Sequence, residues 1–402
     1  MKKKSLFVKI KEIGPGAIVA AAIIGPGTIT AASQAGAGFG TTLIWALLFS
    51  IIATMFLQDM STRLGIITRK DLGSALREQF ENPILKFLAV TIIVAAIGIG
   101  NAAYETSNII GGASGLAILT GTPITLWAFI LGLFIAILLW FGNYKVIEKF
   151  FVVMVLIISA CFILTAIVVK PDLGELFSGA LIPTIPDGSI MFVISLIGTT
   201  IVPYTLLLQS ATVQERWDGE EGMSEGRFDI IFSLAVVGVI SVAIVVSAAV
   251  AFPLGTMIED PSEMAYQLQP LLGSWAKYVF AIGIFGAGAT SVMSAALAGA
   301  YAISGSLGWG TDLKSNKFRA IWIIIIFIGV AFSGVGSTPT EIIIFAQYAN
   351  GLILPIIVLF MIFVMNNRKR LGDHVNKPWL NVVVWIIFFI TLILALQSFE
   401  VF

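Results

Sequence analysis

Residues 24–28 read Ile-Gly-Pro-Gly-Thr, and residues 201–205 read Ile-Val-Pro-Tyr-Thr. Each stretch interrupts a long apolar segment near its middle, and each places a proline two residues before a threonine. A helix that stops inside a bilayer leaves backbone N–H and C=O groups without partners, and lipid cannot satisfy them. Such breaks persist where the freed groups line a cavity, and a matched pair points to the solute site of a transporter. The two breaks therefore predict one binding site between two discontinuous helices.

The composition predicts an all-α integral membrane protein. Of the 402 residues, 58% are apolar and 11% are charged, whereas soluble domains carry about 25% charged residues. A spanning helix needs about 20 apolar residues, and eleven segments meet that requirement. The predicted spans are 15–38, 40–62, 86–116, 123–142, 147–169, 189–212, 229–252, 275–306, 319–334, 341–365 and 379–399.

The basic residues predict the orientation of these spans. With the amino terminus inside, all but two of the 23 basic residues lie on the cytoplasmic side, and the exceptions are Lys170 and Lys277. Because cytoplasmic loops are enriched in Lys and Arg, we expect a cytoplasmic amino terminus and an external carboxyl terminus. An odd number of spans requires the same arrangement. We expect an uncleaved first helix, a multi-pass protein of a bacterial-type inner membrane, and a monomer.

The spacing of the breaks predicts an internal repeat. The second break lies five spans after the first, so the first and sixth spans run in opposite directions across the membrane. Two inverted units of five helices are typical of one class of secondary transporter. The whole chain, residues 1–402, is then a single domain. Its first repeat covers about 15–170, its second about 189–366, and an added helix about 379–399.

Both kinds of backbone group, N–H donors and carbonyl acceptors, are expected to be free at the breaks. The second half of each broken span begins there, and we expect the hydroxyls of Thr28 and Thr205 to cap its free N–H groups. The first halves end at the same place with free carbonyls. Side chains must then decide between a cation and an anion. The predicted solute-binding residues at the breaks are Gly25, Pro26, Gly27, Thr28, Ile201, Val202, Pro203, Tyr204 and Thr205.

Other function classes find little support in the sequence. We find neither a nucleophile–base constellation nor a phosphate-binding loop, so we expect no enzyme activity and no cofactor. The basic residues are not interleaved with aromatics, which argues against nucleic-acid binding. The single Cys161 and the single His374 offer neither a disulfide framework nor a zinc motif. A channel remains the competing transport class, although the broken-helix repeat favours a carrier.

These residues resemble the Nramp family of proton-coupled divalent-metal transporters, which share the LeuT-type fold. The similar segments are Gly14-Pro15-Gly16, 25–28, 33–37, Arg63-Leu64-Gly65 with Asp71-Leu72, and 198–204 with 208–211. The resemblance implies a LeuT-type fold of about eleven transmembrane helices, with the first and sixth discontinuous. It also implies alternating access, in which the first and sixth helices move against the rest.

The residues that bind metal in the family are replaced here. The family's first break reads Asp-Pro-Gly-Asn, and its aspartate and asparagine correspond to Gly25 and Thr28. Its second break reads Met-Pro-His, and the methionine and histidine correspond to Val202 and Tyr204. A divalent transition metal needs strong oxygen, nitrogen or sulfur ligands, so we expect no metal site of that kind.

Three solute classes remain open. Helix N-termini and hydroxyl donors suit a small anion, and bicarbonate or a compact carboxylate is the leading expectation. A divalent cation is the first alternative, since Mg²⁺ keeps much of its water and Mg²⁺-handling relatives of the family also lack the methionine. A small uncharged organic solute is the second alternative. The expected partners are the solute and the lipid bilayer.

Polar residues within other spans complete the prediction. Asn101, Glu105 and Asn108 share one face of the third span, and Glu105 is an ionisable group at membrane depth. The family's proton route has two acidic residues three apart on this helix, and Glu105 matches the first while Asn108 replaces the second. Gln347 and Asn350 of the tenth span are weaker solute-binding candidates.

Two further acidic residues have local explanations. Asp59 precedes Arg63 by four residues, so we expect an ion pair along one helix face. Glu341 stands at the start of the tenth span, where a carboxylate favours the helix dipole.

Overall fold

A computed structural model describes residues 14–142, 145–310, 312–334 and 338–398, and within these ranges every regular element is a helix. Residues 1–13, which carry five of the basic residues behind the predicted orientation, lie outside the described ranges. The main helices are α1 (Pro15–Ile23), α2 (Pro26–Phe39), α3 (Ile44–Thr68), α4 (Leu72–Arg77), α5 (Pro83–Thr120), α6 (Ile124–Phe141), α7 (Lys145–Val168), α8 (Leu173–Leu181), α9 (Ile190–Thr200), α10 (Pro203–Arg216), α11 (Gly219–Ala251), α12 (Ala276–Leu307), α13 (Asn316–Phe332), α14 (Pro339–Met365) and α15 (Pro378–Ser398). One-turn and 3₁₀ helices occupy Pro261–Leu268, Gln269–Leu272, Gly273–Trp275, Arg368–Leu371 and Gly372–His374.

Most of these helices are long and apolar enough to cross a bilayer. In the described part of the chain nine meet that condition, and the bent pair α1–α2 makes ten. Helix α13 has 17 residues, which gives a length of about 26 Å, and it corresponds to the predicted span 319–334. Each of the eleven predicted spans therefore has a helix.

The outer surface of the bundle is apolar. Phe87, Phe141 and Phe327 each expose 70% or more of their surface, and many other large apolar side chains are similarly open. Exposed apolar area on this scale marks contact with a membrane or a partner. The long apolar helices identify the bilayer as that environment.

Both predicted breaks are present and share one backbone geometry. Ile24 ends α1 with φ/ψ of −78°/63°, and Ile201 ends α9 with −91°/77°. Both conformations are close to an inverse γ-turn. Gly25 and Val202 are then extended, and Pro26 and Pro203 begin the next helices. The equal geometry supports the predicted repeat, while the repeat limits 15–170 and 189–366 and the added helix 379–399 stay predictions.

Glycines bring the central helices into close contact. A Cβ atom on Gly112 of α5 would lie 3.2 Å from Gly288 Cα of α12, so these two helices cross almost backbone to backbone. One residue earlier, a Cβ on Gly111 would overlap the ring of Pro26. Small residues allow this approach between membrane helices. Helix α5 is thereby held directly against the first break.

The predicted ion pair between Asp59 and Arg63 is wrong. Asp59 instead accepts hydrogen bonds from Arg227 of α11, with Nε–Oδ1 and Nη2–Oδ2 distances of 2.5 Å and 3.3 Å. Arg63 donates to Asn376 Oδ1 at 2.6 Å and to the Val375 carbonyl at 3.4 Å. A partner on a neighbouring helix therefore takes precedence over one four residues away on the same helix.

The prediction for Glu341 agrees with the structure. Thr338 and Glu341 form a capping box at the start of α14, in which each side chain bonds the other residue's backbone N–H. The carboxylate therefore lies at the positive end of the helix dipole.

Candidate functional site

At the first break, the Thr28 hydroxyl bonds the end of the preceding helix. Thr28 Oγ1 donates to the carbonyl of Ile23, the last residue of α1, and lies 2.9 Å from Thr199 Oγ1 of α9. The same Ile23 carbonyl accepts the Gly25 N–H at 2.8 Å. The N-cap residue of α2 is Gly25, so the predicted capping role of Thr28 is wrong. Proline favours the first helical position, so the helix begins at Pro26 and the residue before it, Gly25, is the N-cap.

The second break repeats this arrangement in part. Thr205 Oγ1 donates to the Val202 carbonyl at 2.7 Å and accepts from Gln58 Nε2 of α3 at 2.9 Å. Val202 is the N-cap of α10, so the capping role predicted for Thr205 is wrong as well. The Tyr204 hydroxyl donates to the Ala22 carbonyl of α1 at 3.5 Å. Both hydroxyl contacts tie the second break to its neighbours.

Two of the carbonyls at the end of α1, those of Ile23 and Ala22, already accept hydrogen bonds from donors of the chain itself. A carbonyl oxygen has two lone pairs, and Ile23 uses them for the Gly25 N–H and the Thr28 hydroxyl. Ala22 accepts the Tyr204 hydroxyl. A cation would have to displace these donors to be bound by the same oxygens. At the start of α10 the Thr205 N–H already bonds the Val202 carbonyl at 3.0 Å. The N–H groups that lack an intrahelical acceptor are those next to the prolines, on Gly27, Thr28 and Tyr204.

Three side chains converge on the first break with polar atoms unused. A Cβ atom on Gly25 would lie 2.6 Å from Ser291 Oγ of α12 and 3.6 Å from Asn108 Oδ1 of α5. A Cβ on Gly27 would overlap the side-chain amide of Gln347 of α14. Ser291 Oγ, both polar atoms of Asn108 and Gln347 Oε1 are buried, and none has a partner among the described residues. Buried polar groups left in this way need an explanation, and a bound solute supplies one.

The apolar and aromatic residues close the site on the side of α10. Val202 and Tyr204 are at most 1% exposed, and the Tyr204 ring meets Tyr104 of α5 edge to face, with centroids 5.3 Å apart. Pro26, Pro203 and Ile201 are buried as well. These residues of the site are therefore enclosed within the helix bundle in this structure.

The remaining predicted residues, Asn101 of α5 and Asn350 of α14, lie about two turns of α5 away from Asn108. Asn101 Nδ2 donates to the Ala295 carbonyl of α12 at 3.3 Å. A Cβ on Gly100 would lie 3.0 Å from Asn350 Oδ1, which places Asn350 eight residues, or about 12 Å, along α5 from Asn108. Asn350 Nδ2 is also buried without a partner among the described residues, and the roles of Asn101 and Asn350 stay predictions.

Glu105 is fully buried against α13. A Cβ on Gly329 would lie 2.9 Å from Glu105 Cγ, and the carboxyl oxygens have no hydrogen-bond partner within the ranges that the structure describes. Glu105 is one turn of α5 from Asn108. An unpaired charge at such depth is costly, so this carboxyl group is suited to taking up and releasing a proton.

Both ends of the first broken span are fastened to other helices. At one end, Asp229 of α11 accepts the backbone N–H groups of Gly14 and Gly16, at 2.9 Å and 2.6 Å. At the other end, the Gln34 side-chain amide donates to the Ile258 carbonyl at 2.6 Å and accepts the Ile258 N–H at 3.0 Å. These contacts hold α1 and α2 by separate sets of bonds.

Some residues of the site were not predicted from the sequence. Thr199, Gln58, Ser107 and Ser291 contact the break residues or their neighbours. The available signal for Thr199 was its position two residues before the second break. Ser291 gave no signal, because it stands in a run of small residues that reads as helix packing.

A side-chain metal centre is not formed by the described residues. Within 14–142, 145–310, 312–334 and 338–398, no group of three or more His, Cys, Asp or Glu residues could hold an ion. The atoms around Gly25 are neutral amides and hydroxyls. They can donate and accept hydrogen bonds but supply no fixed charge.

The comparisons with known proteins agree with this architecture. The profile of the Nramp family, described as natural resistance-associated macrophage protein-like, matches residues 16–399. The divalent metal cation transporter MntH of Klebsiella pneumoniae (strain 342) is 27% identical over 387 residues, covering 94% of this chain and 91% of that protein.

Solved structures show the same fold. A manganese transporter of Eremococcus coleocola superposes with a TM-score of 0.80 at 20% identity, covering 99% of this chain and 88% of its own. A nucleobase-cation-symport-1 family transporter gives 0.63 at 14% identity, covering 96% and 90%. The LeuT-type fold expected from the sequence is confirmed. With nearly its whole length matched and its two broken helices in place, this chain belongs to the Nramp family of multi-pass membrane transporters.

Proposed function

We propose that this protein is a secondary transporter of a small anion, with bicarbonate or a compact carboxylate as the solute. The observation that carries the proposal is the chemistry around Gly25. The unused side-chain groups there are the Asn108 amide, the Ser291 hydroxyl and Gln347 Oε1, and helix N-termini add free N–H groups. Two nearby carbonyls already accept hydrogen bonds, from Thr28, Tyr204 and the Gly25 N–H.

The electrostatics of the breaks favour negative charge. Helices α2 and α10 both begin at the site, and a helix N-terminus carries about half a positive elementary charge. The Asn108 amide and the Ser291 hydroxyl can add donors beside Gly25. A planar oxyanion offers several acceptor oxygens in a small volume, which matches donors that converge on Gly25.

The related proteins favour a divalent cation as the alternative solute. MntH is named for divalent metal cations, and the Eremococcus protein for manganese. Glu105 is a buried carboxyl group one turn of α5 from Asn108, and the amide oxygens of Asn108 and Gln347 could face a hydrated ion. A hard, largely hydrated ion such as Mg²⁺ would be the cation most compatible with neutral oxygen ligands.

An uncharged organic solute is the third candidate. The nucleobase-cation-symport-1 transporter is described with bromovinylhydantoin bound, and another structural neighbour, MhsT, with L-phenylalanine. The fold therefore accommodates organic solutes as well as ions. The close packing around Gly25 and the buried amides would suit only a compact polar molecule.

We further propose that Glu105 couples transport to H⁺. It is buried next to the site, and proton carriers in membranes are ionisable groups at this depth. The cell inner membrane, the cytoplasmic amino terminus, the external carboxyl terminus and the monomeric state are part of the same proposal.

Uptake into proteoliposomes tests the solute directly. Bicarbonate, acetate, Mn²⁺ and Mg²⁺ are compared one at a time, with the internal pH recorded by a trapped dye. The proposal predicts saturable flux of bicarbonate or acetate and at most background flux of the two metals. Saturable metal flux without anion flux would overturn it.

A matched pair of glycine variants tests whether the solute binds at Gly25. Gly25→Ala puts a methyl group 2.6 Å from Ser291 Oγ, whereas a Cβ on Gly98 of α5 would have no described atom within 4 Å. Gly25→Ala should therefore abolish most of the flux, and Gly98→Ala should leave it unchanged. Equal flux in both variants would place the solute elsewhere.

A further inference from the structure

A cavity with several basic side chains in its wall opens away from the two breaks. Its volume is about 400 Å³, and its polar wall is formed by Asp59, Arg63, Arg227 and Lys377. Helices α3 and α11 and the start of α15 enclose it. None of the residues that line this cavity belongs to the candidate site at the two breaks.

The charge of this cavity is unbalanced. Three basic side chains face one carboxylate, and that carboxylate already holds Arg227 through two hydrogen bonds. Arg63 and Lys377 therefore leave the cavity with an excess of positive charge. Such an excess next to a membrane surface favours an anionic ligand.

Arg63 provides an independent sign of a missing ligand. Its side chain is 4% exposed, its hydrogen bonds go to the neutral oxygens of Asn376 and Val375, and its Nε has no partner among the described residues. A guanidinium stays charged in proteins, and its fork of donors matches phosphate oxygens. A phosphate in the cavity would supply both the acceptor and the charge.

The rest of the wall is apolar and faces outward. Ile52 is 55% exposed, Trp379 is 57% exposed and Ile231 is 44% exposed. The Trp379 ring packs edge to face against Phe56, with centroids 6.1 Å apart. Tryptophan at the start of a spanning helix is typical of the headgroup level of a bilayer. A ligand here would have its charged end on the arginines and an apolar part along these side chains.

We propose that this cavity binds an anionic phospholipid, with its phosphate on Arg63 and Lys377 and its acyl chains along Ile52, Ile231 and Trp379. Free phosphate shares the headgroup chemistry. A lipid is favoured because only a lipid also covers the exposed apolar wall, which borders the bilayer. Basic pockets between membrane helices on the cytoplasmic side bind such headgroups.

Native mass spectrometry of the purified full chain tests the assignment. The protein is titrated with phosphatidylglycerol, with phosphatidylcholine, and with glycerol phosphate as a soluble headgroup. Phosphatidylglycerol should bind at least about five-fold more tightly than phosphatidylcholine, since each basic residue near a surface contributes about a five-fold preference. Glycerol phosphate should bind far more weakly than phosphatidylglycerol.

Paired variants locate the site. Lys377→Gln removes an exposed charge of the cavity, and Lys149→Gln removes an exposed charge from α7, outside it. Lys377→Gln should weaken phosphatidylglycerol binding about five-fold, and Lys149→Gln should have no effect. Arg63→Gln should weaken it further, although its contacts to Asn376 also affect folding.

Three outcomes would overturn the proposal. The first is equal binding of the two lipids, and the second is an equal effect of Lys377→Gln and Lys149→Gln. The third is binding of glycerol phosphate as tight as that of phosphatidylglycerol, which would make the cavity a site for a soluble phosphate.

Discussion

The hydroxyl oxygens of Thr28 and Thr199 lie 2.9 Å apart and join the two broken spans directly. Thr28 belongs to the first turn of α2, and Thr199 belongs to the last turn of α9. Because Thr28 also donates to Ile23, one hydroxyl holds together α1, α2 and α9. The two breaks therefore form one structural unit.

Removal of the Thr28 hydroxyl should destabilise this unit. Thr28→Ala leaves the Thr199 hydroxyl and one lone pair of Ile23 without a partner in a buried place, which costs about 1–3 kcal/mol. Thr28→Ser keeps the hydroxyl and is the matched control. Thermal unfolding in detergent should show a lower melting temperature for Thr28→Ala than for Thr28→Ser. Similar melting temperatures would show that the hydroxyl contributes nothing to stability.

A carboxylate at position 25 should change the solute. Gly25→Asp alone is blocked by Ser291, whose Oγ would lie 2.6 Å from the new Cβ, but Ser291→Ala removes that atom. The double variant should therefore bind Mn²⁺ at least about ten-fold more tightly than the parent, because an anionic ligand is worth several kcal/mol to a divalent ion at a buried place. Isothermal titration with Mn²⁺ measures this, with Ser291→Ala as the control. Unchanged Mn²⁺ affinity in the double variant would show that Gly25 does not face the solute.

Glu105→Gln should uncouple solute transport from proton transport. Glutamine keeps the shape of the side chain but cannot take up or release a proton at neutral pH. Solute uptake into proteoliposomes should therefore lose its dependence on pH, and the pH inside the proteoliposomes should no longer change during uptake. The exposed Glu175 of α8 provides the control variant Glu175→Gln. Flux with unaltered pH dependence in Glu105→Gln would remove Glu105 from the coupling mechanism.

Glu78 provides a pH-dependent contribution to stability outside the membrane. The Lys70 ammonium donates to its carboxylate at 2.6 Å, with Arg370 at 3.9 Å, and the hydrogen bond from Lys70 lowers the pKa of Glu78. Because the folded pKa is the lower one, the stabilisation is present above the ordinary glutamate range and is lost as the pH falls through the folded value. The pair is exposed, so the effect is small.

Melting temperatures measured from about pH 7 down to about pH 3 check this sign. Glu78→Gln should lower the melting temperature slightly at pH 7 and should leave it unchanged at the acid end. A larger loss at the acid end would reverse the assignment.

The broken spans could be predicted because their cause is local. Pro26, Pro203 and the flanking glycines force the interruption wherever the helix is placed, and apolar length sets the other spans. The spacing of Pro26 and Pro203 was enough to place the candidate site. These features depend only on residues near each other in sequence.

The capping errors at Thr28 and Thr205 are local, because the prolines make Gly25 and Val202 the N-caps. The other failures involve partners that are distant in sequence. Asp59 bonds Arg227, 168 residues away, and Thr28 reaches Thr199, 171 residues away. Helix periodicity says which face a residue occupies but not which helix packs there. Ser291 is invisible for the same reason, since its importance comes only from its nearness to Gly25.

The two fastenings of the first broken span have a kinetic consequence. Asp229 holds the start of α1, Gln34 holds the far half of α2, and the hinge at Gly25 lies between them. Because the two halves are restrained by different bonds, the barrier to opening toward one side of the membrane is set separately from the barrier toward the other. A change in one of these contacts would then alter the rate of opening toward one side, while the solute gradients still set the direction of net transport and the residues that touch the solute stay the same.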